Sequence, residues 1–431
     1  MKTKILLGII AFLLILVIAA GAFWWSRRPQ VITLDDGTKL TLLAVDYGKR
    51  HTPPAVKLPA ARGRRGNGSF TTQNSALCVW FRRDYTNNTY FNAQFYIYDK
   101  AGTACVESSG RNGGYGGGQQ KGSDLIAVWF DSFPREQSKL IVRVQEWGQD
   151  EGQVMSAKHF VISNPSRGGS FPKWTAESLP ATKTDGDFSA TLTQLSYGDV
   201  GNFNRDQDDP NDAINNGVEA VFQVQQNGTN AVNWSVAQIE TSDATGNHQS
   251  AGVNSHWDGD NLVADYQFGL WPGQPWKLRV EFSKQSGYDD SELWTVKNIP
   301  LEPGTQRDFD NWNRNNRTNR PFAETDLNGI HLKLYPAKKF TDVSPDQQPQ
   351  GGFELQTTPG PGNGLQLNLV KITDDQGDEL ENWNSGSSYN GNFADYHYGI
   401  RNLDGVTNLT VTIAVHQDHY LEFTANPEKA Q

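Results

Sequence analysis

Ala264-Asp265-Tyr266-Gln267-Phe268-Gly269-Leu270 and Ala394-Asp395-Tyr396-His397-Tyr398-Gly399-Ile400 are two copies of one phrase. Ala, Asp, Tyr and Gly recur in place, and an aromatic stands at both 268 and 398. A looser version, Ala127-Val128-Trp129, ends at Phe133. The segment after each copy repeats as well. It reads Leu140, Val142, Val144, then Leu278, Val280, Phe282, then Leu409, Val411, Ile413. The residues between are mainly polar: Arg143, then Arg279 and Glu281, then Thr410 and Thr412. A period of two buries one face of a strand and exposes the other. Self-similarity of this kind marks a repeated structural unit.

The repeat extends in both directions. A last strand is expected to close each unit, at Phe160 and Ile162, at Trp294 and Val296, and at Leu421 and Phe423, with Pro165, Pro300 and Pro427 following. Proline lacks the amide donor that a ladder needs, so it suits a strand end. Upstream, Ile97-x-Asp99-x-x-Gly102 matches Ile372-x-Asp374-x-x-Gly377, and Asp243-x-x-Gly246 follows Ile239 with a small insertion. Asp bonds locally in such a turn and Gly takes positive φ. First strands are expected at Lys39–Val45, Phe188–Leu195 and Ile330–Tyr335. The boundaries that follow are an N-terminal segment 1–30, a β-sandwich 31–165, a linker 166–187, a β-sandwich 188–301, a linker 302–329 and a β-sandwich 330–427.

Each unit has the size and strand rhythm of an immunoglobulin-like sandwich. Leu270-Trp271-Pro272-Gly273-Gln274-Pro275-Trp276-Lys277-Leu278 resembles the E–F corner of such folds. No Cys–Trp–Cys core of antibody type is present. The fold expected is all-β, with three tandem immunoglobulin-like β-sandwich domains behind one N-terminal transmembrane helix. The whole chain also resembles uncharacterised bacterial membrane-anchored proteins with immunoglobulin-like repeats. That resemblance implies the fold and brings no activity or functional residue with it.

The chain has 431 residues with 42 glycines and a net charge of −10. Glycine-rich, turn-rich composition suits β domains better than helical bundles. The acidic balance argues against a nucleic-acid partner. The one dense basic cluster, Arg62, Arg64 and Arg65, reads as a solvated loop.

Ile5–Trp25 is an uncharged, mostly apolar run of 21 residues. As a helix it spans about 30 Å, the thickness of a hydrocarbon core. Lys2 and Lys4 precede it, and Trp24, Trp25, Arg27 and Arg28 sit at its far end. The expected partner of residues 5–25 is therefore the lipid bilayer, with the N-terminus cytoplasmic and the rest extracytoplasmic, because long domains translocate largely regardless of flanking charge. Ala20-Gly21-Ala22 also matches a signal-peptide cleavage pattern, so an anchor and a cleaved signal both stand.

Candidate sites are few. Asp206, Asp208, Asp209 and Asp212 cluster in one loop and offer the hard oxygens that calcium takes, although the spacing is not that of an EF-hand and Arg205 opposes a cation. A solvated loop is the alternative. Cys78 and Cys105 lie on separate expected strands. A disulfide between them would stabilise by roughly 3 kcal/mol, and two buried free thiols are the alternative. No zinc spacing such as C-x-x-C occurs, and neither cysteine has a histidine near it in sequence. No H-E-x-x-H or G-x-S-x-G motif occurs. Carboxylate pairs for glycoside hydrolysis meet only in the fold. Trp257, Trp271, Trp276, Trp312 and Trp383 lie near turns, where they either stack on a sugar or cover sandwich ends and junctions. The expected function is a non-catalytic interaction or spacer role with a protein or glycan partner. An envelope carbohydrate-binding protein and a part of an envelope hydrolase are the alternatives.

Overall fold

The structure is a computed structural model that describes residues 29–56, 68–85, 93–99, 105–112, 122–147, 154–198, 200, 217–267, 270–306, 320–342, 350–362, 364–390 and 392–430. The apolar segment 5–25 and the acidic loop with Asp206, Asp208, Asp209 and Asp212 lie outside the described residues. Among the described residues no helix is long and apolar enough to cross a membrane. The architecture is all-β, as the alternating pattern requires.

The first unit comprises β1 (Val31–Thr33), β2 (Lys39–His51), β3 (Phe70–Tyr85), β4 (Ala93–Tyr98), β5 (Cys105–Glu107), β6 (Gly110–Asn112), β7 (Gly122–Phe130), β8 (Lys139–Trp147) and β9 (Val154–Ser163). They form two sheets, ordered β1-β2-β3-β7-β6 and β5-β4-β8-β9. Leu77, Val79 and Phe81 of β3 meet Phe95, Ile97, Val142, Val144 and Phe160 in one core between the sheets. Cys78 and Trp80 alternate with those residues, so they face away from that core into a second, smaller cluster.

The second unit begins with β10 (Ala181–Asp185), β11 (Phe188–Gly198), β12 (Gly217–Gln226), β13 (Thr229–Asn230), β14 (Trp234–Asp243), β15 (His248–Gly252), β16 (Asn254–Asp258), β17 (Asn261–Gln267) and β18 (Trp276–Lys284). Then come β19 (Leu293–Gly304), β20 (Ala323–Leu327), β21 (Ile330–Leu334), β22 (Ala337–Phe340), β23 (Gln350–Thr358), β24 (Leu365–Thr373), β25 (Asn382–Asn390), β26 (Phe393–Arg401), β27 (Asn408–Gln417), β28 (His419–Ala425) and β29 (Glu428–Lys429). The repeated phrases fall on β17 and β26, each of which lies between matching neighbours: β12 and β16 for the former, β23 and β25 for the latter. In the first unit β7 lies between β3 and β6 in the same way.

The closing strands do not follow the chain order expected of them. Phe160 and Ile162 on β9 do pair with β8 of their own unit. Trp294 and Val296 on β19 leave the second unit and pair with β27, so Val296 and Ile299 join the third core. Leu421 and Phe423 on β28 return to pair with β18, and both lie in the second core. The second and third units have exchanged their last strands, and boundaries at 188–301 and 330–427 cut across that exchange. Connection length supplies the reason. Only Asp418 separates β27 from β28, and an antiparallel hairpin needs about two loop residues. The chain cannot reverse there, so it runs on into the neighbouring unit.

Two further strands lie where linkers were expected. β10, within 166–187, pairs with β11, and β20, within 302–329, pairs with β21. Their edge positions leave them mostly solvated, with little hydrophobic period to read. The turn chemistry was nonetheless in the sequence. Asn328-Gly329 joins β20 to β21 with φ of 47° and 83°, the positive-φ pair that a tight hairpin requires.

The exchange predicts that fragment 188–301 does not fold by itself. It lacks Leu421, Phe423 and Ala425 from its core, and each large apolar side chain is worth about 1.5–3 kcal/mol when buried. Amide NMR of this fragment should show collapsed dispersion, and a fragment spanning 170–430 should show a folded spectrum. A well-dispersed spectrum from 188–301 would refute the exchange.

Candidate functional site

The most elaborate side-chain constructions hold the units together. At the first joint, the Asp243 turn expected from sequence forms as written. The Asp243 carboxylate accepts from the Thr245 and Asn247 amides at 2.8 and 3.1 Å, and Gly246 takes φ of 89°. Asn247 Nδ2 also donates to Asp243 Oδ2 at 2.8 Å. This fixes the Asn247 Oδ1, which accepts from Arg135 Nε at 3.0 Å and from the Phe133 amide at 3.1 Å. Arg135 is buried. It donates further to Tyr47 Oη at 2.6 Å and to the carbonyls of Asp131 and Gly246 at 3.1 and 3.2 Å, and its guanidinium lies over the Phe133 ring. Trp271, from the second unit's corner, is buried in the first unit's core. Its carbonyl accepts from the Trp276 indole at 3.2 Å.

The second joint is the strand crossing itself. Lys284 ends β18 almost fully buried, and its ammonium bonds Glu292 at 2.9 Å and Asp289 at 3.4 Å across the connection to β19. Burial alone would lower the Lys284 pKa, but the hydrogen bond and charge of Glu292, with Asp289, outweigh it and raise it. On the return path, the side chains of His416 and Asp418 are fully buried, with Nδ1 3.4 Å from Oδ1. Burial, followed by the neighbouring Glu281, pushes the Asp418 carboxyl up to about 8. Burial likewise holds His416 below the ordinary imidazole value. Glu281 accepts from Tyr420 Oη at 2.5 Å and from Gln366 at 3.3 Å, and Asn368 donates to Tyr288 Oη at 2.9 Å. Residues of β18, β24, β27 and β28 thus form one buried polar network, which in a low-dielectric setting rigidifies when its members are paired.

A third cluster lies on the outer face of the first unit. Asp46 of β2 is the direct cross-strand partner of Cys78 on β3. His51 is an odd number of residues from Asp46 and would face the other way in a regular strand. The pairing is irregular between Gly48 and Arg50, where two steps along β2 stand against five along β3 (Ala76 to Thr71), and beyond that break His51 lies on the Asp46 face. His51 Nδ1 then contacts Asp46 Oδ1, and the donor atoms of Asp46, His51 and Cys78 all lie within 4.8 Å of one another. Asp46 Oδ2 accepts from Trp80 Nε1 at 2.8 Å, and His51 Nε2 faces Thr72 Oγ1 at 3.4 Å. Cys78 carries a free, buried thiol, so the disulfide with Cys105 is not formed. Cys105 belongs to β5 in the opposite sheet, whereas Cys78 points away from the space between the sheets. Burial, then the Asp46 carboxylate, pushes the Cys78 thiol well above the usual thiol range.

A carboxylate pair does meet in the fold. Glu354 of β23 lies opposite His397 of β26, and Gln356 lies opposite Asp395, to which it donates at 2.8 Å. Burial and the Asp395 charge push Glu354 up to about 8. A protonated carboxylic acid beside a second carboxylate is the ingredient list of glycoside hydrolysis. Glu354 and Asp395 are only 6% and 7% exposed, which leaves no open surface for a sugar between them. The tryptophans are committed elsewhere: Trp276 and Trp271 are buried in cores, Trp257 donates to the Trp234 carbonyl, and Trp383 lies under Arg401. Trp312 lies outside the described residues. No family model matches the chain, and no curated protein matches it.

Replacing Arg135 by Ala removes the fork that bridges the first two units and leaves the Asn247 carbonyl short of a donor. A cost of about 3 kcal/mol is expected, read as a separate, earlier melting transition for the first unit in calorimetry. The raised Asp418 carboxyl predicts a pH dependence for the second joint. The folded form favours the protonated acid, so its contribution is complete below the ordinary Asp value near 4 and is lost as pH rises through about 8. Asp418→Asn, which mimics the protonated acid, should match the parent's melting temperature near pH 4 and exceed it by a few degrees above pH 8 (about 2–4 °C per kcal/mol).

Proposed function

We propose that this is a membrane-anchored extracytoplasmic protein whose tandem immunoglobulin-like β units act as a non-catalytic spacer and interaction module. One observation carries the reading: β19 and β28 are exchanged between the second and third units. Two covalent crossings and the network around Asp418 make those units mechanically inseparable, and the Arg135 joint couples the first to them. Ordinary tandem domains move relative to one another across modest interfaces. Two buried joints of this kind suit a chain that must present one end at a defined place relative to the other. The burial of Glu354 and Asp395 supports a role without catalysis. The apolar segment 5–25 supplies the tether, and the large acidic β portion is the part exported.

Two measurements test this. In intact cells, protease added from outside should degrade the β portion, and alkaline extraction should leave it in the membrane pellet. Recovery in the cytosol would overturn the placement, and recovery as a soluble extracytoplasmic form beginning near residue 23 would replace the anchor with a cleaved signal. Amide relaxation of the full chain in detergent should return a common correlation time for the second and third units; independent tumbling would remove the spacer argument.

A further inference from the structure

The geometry points to a transition-metal site, of the kind that takes Zn(II), formed by Asp46, His51 and Cys78 on the outer face of the first β unit. The three residues supply one oxygen, one nitrogen and one sulfur donor within 4.8 Å of one another. That is the mixed donor set zinc accepts. In a tetrahedral zinc site the donors stand roughly 3.5 Å apart, so closing the set needs only a small contraction of the β2–β3 hairpin.

The surroundings argue for a built site rather than a chance meeting. Metal-binding imidazoles and carboxylates are usually oriented by hydrogen bonds on their far atoms. Here the far oxygen of Asp46 accepts from Trp80 Nε1 at 2.8 Å. The far nitrogen of His51 faces Thr72 Oγ1 at 3.4 Å, and that hydroxyl donates to the Asn74 carbonyl at 2.6 Å. Phe70 covers the His51 ring with centroids 5.1 Å apart and leans on Trp80 and Trp129, so the sulfur and nitrogen sit in a dry, aromatic wall. His51 and Cys78 are fully buried, whereas the Asp46 side chain is 36% exposed. The oxygen side is therefore the route by which a metal enters and a water completes the fourth position. The irregular pairing between Gly48 and Arg50, two steps of β2 against five of β3, leaves His51 on the one face where Asp46 and Cys78 already are. An unbroken strand would have placed His51, five residues on from Asp46, on the opposite face.

Binding would exchange the thiol proton for the metal: Cys78 Sγ gives its proton to solvent and bonds as thiolate, with His51 neutral and Asp46 ionised. No change of oxidation state is involved. The site lies on the outer face of β2 and β3 and uses none of the joint residues, so it does not depend on the spacer reading.

Cobalt(II) is the probe. The full chain, reduced and purified in detergent, should bind one equivalent and develop a thiolate-to-cobalt charge-transfer band with the strong visible absorption of tetrahedral cobalt. Added zinc should abolish both. Cys78→Ser should lose the charge-transfer band, His51→Gln should weaken binding at least tenfold, and Cys105→Ser should retain the parent spectrum. Should Cys78→Ser destabilise this packed face, the parent titration still decides. Absence of a thiolate band in the folded parent protein overturns the site. Survival of the band in Cys78→Ser, or equal binding by parent and His51→Gln, assigns the metal elsewhere and overturns it as well.

Discussion

A single residue, Asp418, stands between two strands that each complete a different core. Because a one-residue link cannot reverse an antiparallel strand, β28 must travel forward. The second unit can then be closed only by the third unit's chain. Once β28 occupies the slot beside β18, β19 is displaced from it and takes the matching slot beside β27. The division of apolar residues between the cores, the buried network at the crossing and the coupling of the two units all follow from this constraint.

The crossing buries several titratable groups together. Charged and polar side chains leave water there because β27 runs into β28 through the single residue Asp418, beside the β18–β19 crossing. Lys284 is met there by Glu292 and Asp289, whereas His416 Nδ1 and the Asp418 carboxylate oxygens are buried without a hydrogen-bond partner. Burial favours neutral Asp418 and neutral His416, whereas Lys284 keeps its charge because two carboxylates face it. The first joint solves the same problem differently. Arg135 spreads its charge over carbonyl, amide and phenol oxygens instead of a carboxylate. A planar five-donor fork can do this and an ammonium cannot. The second joint carries a pH dependence of its own, because burial pushes its Asp418 carboxyl up to about 8.

The sequence repeat also explains why exchange is tolerated. The β9, β28 and β19 positions are equivalent, each lying beside the strand that follows the repeated phrase. A strand with alternating apolar residues fits either slot, so the units can trade closing strands without re-forming their cores. Such trading of equivalent elements is the logic of domain swapping, realised here within one chain.

Residue order alone determined the all-β class, the position of the repeated strands, and the Asp243 and Asp374 turns with their glycines at φ of 89° and 92°. These are local: a period of two or a turn residue declares itself within a few positions. The Asn328-Gly329 hairpin is equally local, but its edge strand carries too little apolar alternation to mark it as a strand. Other features arose only from tertiary structure. The partners of β19 and β28 are set by competition between equivalent slots, which periodicity cannot rank. The nearness of His51 to Cys78 depends on the register of β2 against β3 and on the irregular pairing between Gly48 and Arg50. Glu354 and Asp395 meet because β26 pairs with β23. In each case residues far apart in the chain are brought together by strand pairing, and pairing is decided by whole faces at once rather than by any residue's neighbours in sequence.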